Sequence, residues 1–286
     1  MSRLAITKTP KAYVGGAFIR SESGRVFPIQ ETKSKSFFAN IPQCTRKDLR
    51  NAVEAAAKAG AGWAARTPYN RGQILYRLGE MIEARSAEMV AALTDTTATP
   101  LTNAKDEVTK TIDLIVHFAG WADKYDQVLG NSNTVAAPYF NFTISEPSGV
   151  IGIIAPDAPA LLGLIAQVLP AIVSGNSVVA LASEASPYPA IVLGEMLATS
   201  DLPGGVVNIV TGYRSELVDT FATHTHLRGV DASVNQEQAI KLEVGGASSV
   251  KRVKIRSADG AWADSVGLHD IRSFIEFKTV WHPVGF

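Results

Sequence analysis

The sequence predicts an α/β protein in which a parallel sheet carries helices on both faces. Three observations lead there. Gly149-Val150-Ile151-Gly152-Ile153-Ile154 is an unbroken apolar run, the pattern of a strand covered on both sides. Residues 176–181 and 206–210 repeat that pattern. Between the runs lie two stretches of helical character: residues 161–172, and a segment running from Ser186-Pro187 through Leu197, with Ser186 as cap and Pro187 at the first helical position. Strands alternating with helices in this way run parallel in one sheet.

The flanking elements follow in order. Tyr13-Val14 and Ala17-Phe18-Ile19 are short β-type runs around Gly15-Gly16, and Ser23-Gly24 marks a turn before Val26-Phe27-Pro28-Ile29. Thr45-Arg46-Lys47-Asp48 is a capping signature ahead of a stripe of Leu49, Val53, Ala56 and Ala57. A second helix carries Ile74, Leu75, Leu78 and Ile82 and is expected to run on towards Leu93; a third carries Val108, Ile112, Ile115, Ala119 and Ala122. These stripes read as core packing. After the sheet runs, Gly245-Gly246 reads as a helix stop. From Arg252 to Arg256, basic and apolar residues alternate as in a strand with one exposed face. The last stretch has period two: Ser273, Ile275, Phe277, Thr279 and Trp281 share one side and Phe274, Glu276, Lys278 and Val280 the other, leaving a possible free backbone edge.

Composition narrows the function classes. At 286 residues, 46% hydrophobic and 19% charged, the chain has the make-up of an ordinary globular protein. Its 27 basic and 27 acidic residues cancel, so no long-range field draws it to nucleic acid or an anionic membrane. A single cysteine, Cys44, excludes an intrachain disulfide and fits a reducing compartment. The first eleven residues hold too short an apolar run for a secretory signal. The long apolar stretch at 149–180 is broken by Pro156, Asp157, Pro159 and Pro170, so it is expected to be buried strand and helix, and the protein cytoplasmic. His224 and His226 lie two apart with no third ligand evident, so no metal site is expected.

Several runs resemble one known family. Glu146-Pro147-Ser148-Gly149-Val150-Ile151-Gly152 is similar to the segment that opens the nucleotide-binding core of aldehyde dehydrogenases. The likeness continues at residues 170–179 and 202–212, and includes Tyr13-Val14-Gly15-Gly16, the helix from about Arg71 to Ala84, and Phe118-Ala119-Gly120-Trp121-Ala122. Residues 271–281 resemble the family's C-terminal tail. The resemblance implies a Rossmann-like parallel sheet with helices on both faces, plus a β-rich oligomerisation arm and a C-terminal strand. It divides the chain into cofactor-type hairpins and helices (1–130), an arm strand region (131–148), the Rossmann-like part (149–257) and the C-terminal oligomerisation strand (258–286).

The departures from the family pattern bear on function. Members attack the aldehyde with a cysteine thiolate; Cys44 lies far upstream and does not match that nucleophile. Where the family places an asparagine that stabilises the oxyanion, Asp157 stands, and an ionised carboxylate cannot donate a hydrogen bond; a cap or surface role is expected for it. The family's general-base glutamate follows a Lys-Arg-Val strand, but Lys251-Arg252-Val253 is followed by Lys254-Ile255-Arg256-Ser257. The Glu243-Val244-Gly245-Gly246 run precedes that strand and reads as coincidence. Of the cofactor positions, the family's lysine is Leu181 here; Glu184 is kept at the ribose-side position, where it reads as an exposed loop acid, and Ser233 at the phosphate-side turn. Both are vestigial. Asp231 and Glu237, near a pyrophosphate, would oppose a dinucleotide. Only about a dozen residues separate Ile255 from Leu268, with a turn expected at Asp259-Gly260.

These observations imply no catalytic residue and no cofactor, although the resemblance allows NAD or NADP. The expected function is that of a non-catalytic subunit. It would assemble with a full-length aldehyde dehydrogenase, or with itself, through the strand from Ser273 to Trp281. The alternative is a small NAD(P)-binding oxidoreductase acting on an aldehyde with non-standard residues.

Overall fold

The structure, a computed structural model, describes residues 8–257, 262 and 267–285. Strands β1 (Ala12–Val14) and β2 (Ala17–Ile19) form a hairpin whose turn is made by Gly15 and Gly16 at φ 63° and 84°, which only glycine adopts without strain. A separate two-stranded ribbon joins β3 (Val26–Gln30) to β4 (Phe37–Pro42), a strand that short sequence patterns did not mark. Thr45 then starts α1 (Arg46–Ala64) with the capping box its sequence predicts: its hydroxyl accepts from the Lys47 and Asp48 amides, and the Asp48 carboxylate accepts from the Thr45 amide.

The helix expected to run from Ile74 towards Leu93 is two helices, α2 (Pro68–Ala84) and α3 (Ser86–Thr96). Arg85 leaves helical geometry between them, and its guanidinium pairs with Glu88 and with Glu195 of a later helix. Helix α4 (Leu101–Trp121) follows, then α5 (Tyr125–Leu129), β5 (Asn131–Asn133) and β6 (Tyr139–Pro147).

The middle of the chain alternates as predicted: β7 (Val150–Ile154), α6 (Leu162–Val173), β8 (Ser177–Leu181), α7 (Tyr188–Leu197), β9 (Val207–Val210), α8 (Arg214–Thr223), β10 (Leu227–Ser233), α9 (Gln236–Ala247) and β11 (Arg252–Arg256). Ser186 does not cap α7. Its amide donates to the Ser183 hydroxyl, and Pro187 occupies the cap position. The N-terminus of α6 is instead capped from a distance, because the buried Glu107 carboxylate of α4 accepts from the Leu161 and Leu162 amides.

Strands lie in the order β11-β10-β7-β8-β9-β1-β2, with β7 to β11 parallel and β1 antiparallel to β9. Alternate residues feed two cores. Ile151, Ile153, Val178 and Ile209 pack with α2, α3, α4, α6 and α7, while Val150, Ile154, Val179 and Val210 pack with α1, α8 and α9. Helices therefore cover both faces. Among the described residues, no helix is long and apolar enough to cross a membrane.

Two expectations are corrected here. Gly245 and Gly246 do not stop α9, which includes both; a side chain at Gly245 would stand 2.6 Å from Ala222 Cβ, so glycine lets α9 approach α8. The basic face of β11 is not solvated either. Arg256 pairs with Asp231 and with Asp270 of α10 (Leu268–Arg272), Lys254 also pairs with Asp270, and Arg252 pairs with Glu276. The Trp262 ring lies 5.7 Å from the Arg256 guanidinium. Burial favours the neutral Asp270 carboxyl, but these two cations outweigh it and hold the group below the usual range.

A third sheet has the order β12-β6-β5, where β12 (Ile275–Pro283) runs antiparallel to β6 along its whole length. Ser273, expected in the terminal strand, instead lies in the turn after α10. The Asp259-Gly260 turn lies outside the described residues.

Candidate functional site

In a parallel sheet, ligands enter beyond the carboxyl ends of the strands, at the point where the chain departs to opposite sides. Here that point lies between β7 and β10, and from that end of the sheet a crevice of about 670 Å³ opens. Phe27, Ile29 and Thr96 line it on one side; Asp157, Glu184, Tyr213, Arg214 and Gln238 come from the segments after β7, β8, β9 and β10.

Asp157 and Arg214 form its centre. The Asp157 carboxylate accepts from the Ser183 hydroxyl at 3.0 Å and the Glu184 amide at 3.1 Å. The Arg214 guanidinium grips both of its oxygens, at 2.7 and 2.9 Å, and also donates to the Ala155 carbonyl at 2.7 Å. Arg214 opens α8, and its own amide donates to Glu184 Oε2 at 2.8 Å. Three strand-to-helix connections are thus laced together. Partial burial alone would raise the Asp157 carboxyl, but the Arg214 contact dominates and holds it below the usual carboxylate range. It is ionised at neutral pH and can only accept. The amides it accepts from, of Glu184 and Ala185, belong to the turn after β8 and not to a helix N-terminus, so Asp157 braces that turn and caps no helix.

The two cofactor-type residues named from sequence are not brought together. Glu184, read as an exposed loop acid, is half-buried and bonded to the Arg214 amide. Ser233 is buried at the end of β10, and it is not among the residues lining the crevice. Asp231, expected near a phosphate, points into the core: Arg256 holds it with two contacts of 2.7 Å and the Gln167 amide donates at 2.9 Å. Glu237 is exposed on the first turn of α9, paired with Lys241.

A pyrophosphate needs free amides at a helix N-terminus or a free cation. Asn235 caps α9 and takes the Gln238 amide, Glu237 adds negative charge at that terminus, and the guanidinium of Arg214 is held by Asp157 and Ala155. Among the described residues, Arg214 Nε is the one buried side-chain donor lining the crevice that has no partner. The set does not fit a pyrophosphate.

Other candidates are inert in this arrangement. Cys44 is buried, its amide donates to the Thr211 carbonyl, and burial pushes its thiol up to about 12. The His224 and His226 rings lie 5.8 Å apart, and burial lowers His224. Among the described residues no group of three ligating side chains could hold a metal. Sequence reasoning missed Arg214. Its signal was positional: the residue that opens a helix just after a parallel strand stands at the crevice by construction.

The sheet order, the helices on both faces and the crevice define a nucleotide-binding type of α/β domain. Residues 18–255 match the model of the aldehyde dehydrogenase family, and the chain belongs to that family. Retinal dehydrogenase 2 of Gallus gallus is 31% identical over 256 residues, covering 87% of this chain and 48% of the relative. Omega-crystallin of Enteroctopus dofleini is 27% identical over 252 residues, covering 87% and 50%. Among solved structures, PnpE from Pseudomonas sp. WBC-3 superimposes with a TM-score of 0.83 at 25% identity, over 87% of this chain and 51% of its own. The chain thus spans about half the length of the relatives it matches.

Proposed function

We propose that this chain is a non-catalytic member of the aldehyde dehydrogenase family that acts as a subunit, assembling with a full-length aldehyde dehydrogenase or with itself. One observation carries this reading: the Asp157–Arg214 pair occupies the crevice where catalysis and cofactor binding would need a neutral donor and free phosphate contacts. Cys44, with a thiol pushed up to about 12, supplies no nucleophile at neutral pH. The exposed sheet edge of β12 supplies the means of docking by strand addition.

The test is the mass of the chain by light scattering, alone and after co-expression with a full-length aldehyde dehydrogenase. A defined mixed or self-assembled species is the expected result. A stable monomer that ignores the dehydrogenase would remove the reading. The second reading, a small NAD(P)-binding oxidoreductase, draws on the crevice itself and on Glu184. It also draws on relatives such as the 3,6-anhydro-L-galactose dehydrogenase solved in complex with NAP.

A further inference from the structure

A second opening lies at the other end of the main sheet. The crevice above stands beyond the carboxyl ends of the strands, whereas a cleft of about 420 Å³ sits beside Val150 and Ser177, the first residues of β7 and β8. That volume is within the range of small-molecule sites. One wall is a single face of α1, where Ala57, Gly60, Ala61 and Ala64 recur at helical spacing. Small side chains there keep the space open. Pro147 and Gly149 add to its apolar lining.

The serines of the cleft are already engaged. The Ser177 hydroxyl donates to the Ala56 carbonyl at 2.9 Å, and the Ser148 hydroxyl donates to Glu276 and accepts from Arg252. Among the described residues no acid lines the cleft, and its charge comes from Arg228. This arginine is the extra residue of a β-bulge: Leu227 pairs with Val150 and Gly229 with Ile151, so Arg228 stands opposite no residue of β7. A bulge re-aims the side chain it carries. The stem of Arg228 lies against Gly149, where a Cβ would stand 3.2 Å from Arg228 Cγ. Among the described residues its guanidinium has no hydrogen bond or ion pair.

We propose that this cleft binds a small amphipathic carboxylate, its apolar body against the α1 face and its anion on Arg228. An unpaired guanidinium beside apolar walls is complementary to a ligand that carries both parts. A neutral apolar molecule would leave the cation unmatched. A multiply charged phosphate would meet a single guanidinium and, in the last turn of α1, the negative end of a helix dipole. The site goes beyond the subunit reading and is separate from the crevice.

Fluorescence titration of the full chain with dansylglycine tests this, with dansylamide as its uncharged counterpart. The expected result is saturable binding of dansylglycine, weakened about tenfold or more in Arg228→Gln, with dansylamide bound more weakly by a similar factor. Ala61→Leu, at an exposed position of the α1 face, should fill the cleft and abolish binding while the melting temperature stays that of the native chain. If that variant melts early, Ala57→Leu, exposed one turn earlier, takes its place. No saturable binding to the native chain, equal affinity for dansylamide, or unchanged binding in Arg228→Gln would overturn the carboxylate site. Binding that survives the leucine substitution would put the ligand elsewhere and overturn it too.

Discussion

At the scale of single residues, chemistry is decided by what surrounds each side chain. Cys44 should resist iodoacetamide at pH 8 in the native protein and react at once in denaturant; mass spectrometry reads this directly, and rapid native labelling would contradict its burial. Asp157 takes its properties from Arg214. Because the folded carboxyl lies below its ordinary value of 3.8, its stabilising contribution is complete above that pH and is lost as pH falls through the lower, folded value. Arg214→Ala should therefore cost about 1–2 kcal/mol at neutral pH, discounted for the partial exposure of the pair, and flatten the loss of stability in acid. Urea melts between pH 2 and 7 would check both effects. The acid at position 157 was legible in the sequence; its guanidinium partner, 57 residues away, was not.

Elements meet through a few buried polar contacts. Lys251, just before β11, extends its ammonium to the Phe221, Ala222 and His224 carbonyls at 2.9, 2.7 and 3.0 Å, closing the end of α8. Burial lowers this ammonium from 10.5 to about 8. Between those two values the unfolded chain binds the extra proton, so stability rises with pH across that window and is level below it, by no more than about 3 kcal/mol. In Lys251→Met the rise should vanish, and denaturation at pH 7.5, 9 and 10.5 would show it. Capping signals such as Thr45-Arg46-Lys47-Asp48 were readable because both partners lie within one turn. The contact that holds Arg85 at the break was not, since Glu195 lies 110 residues further on.

At the scale of the whole molecule, the main prediction concerns the crevice. A dinucleotide present at a hundred times its dissociation constant would raise the melting temperature by about 5 °C. With Arg214 held by Asp157 and the α9 N-terminus capped by Asn235, the expected shift with saturating NAD or NADP is none, by differential scanning fluorimetry. A clear upward shift would favour the oxidoreductase reading. The basic strand β11 gives the same lesson at larger scale. Its alternation looked solvated, yet α10 and β12 bring Asp270 and Glu276 onto it.

What the sequence determined by itself is the parallel α/β core and the family, because apolar runs, caps and turns act over a few residues and residue identity is absolute. Only the tertiary structure decided where the charges go. It turned Asp231 into the core, bonded Glu184 to an amide, set Gly245 against α8 and Gly246 against β11, and placed β12 at the edge of its sheet among the described residues. Each of these depends on a partner distant in sequence, and an ion pair or a close helix approach leaves no periodic trace in the chain that forms it.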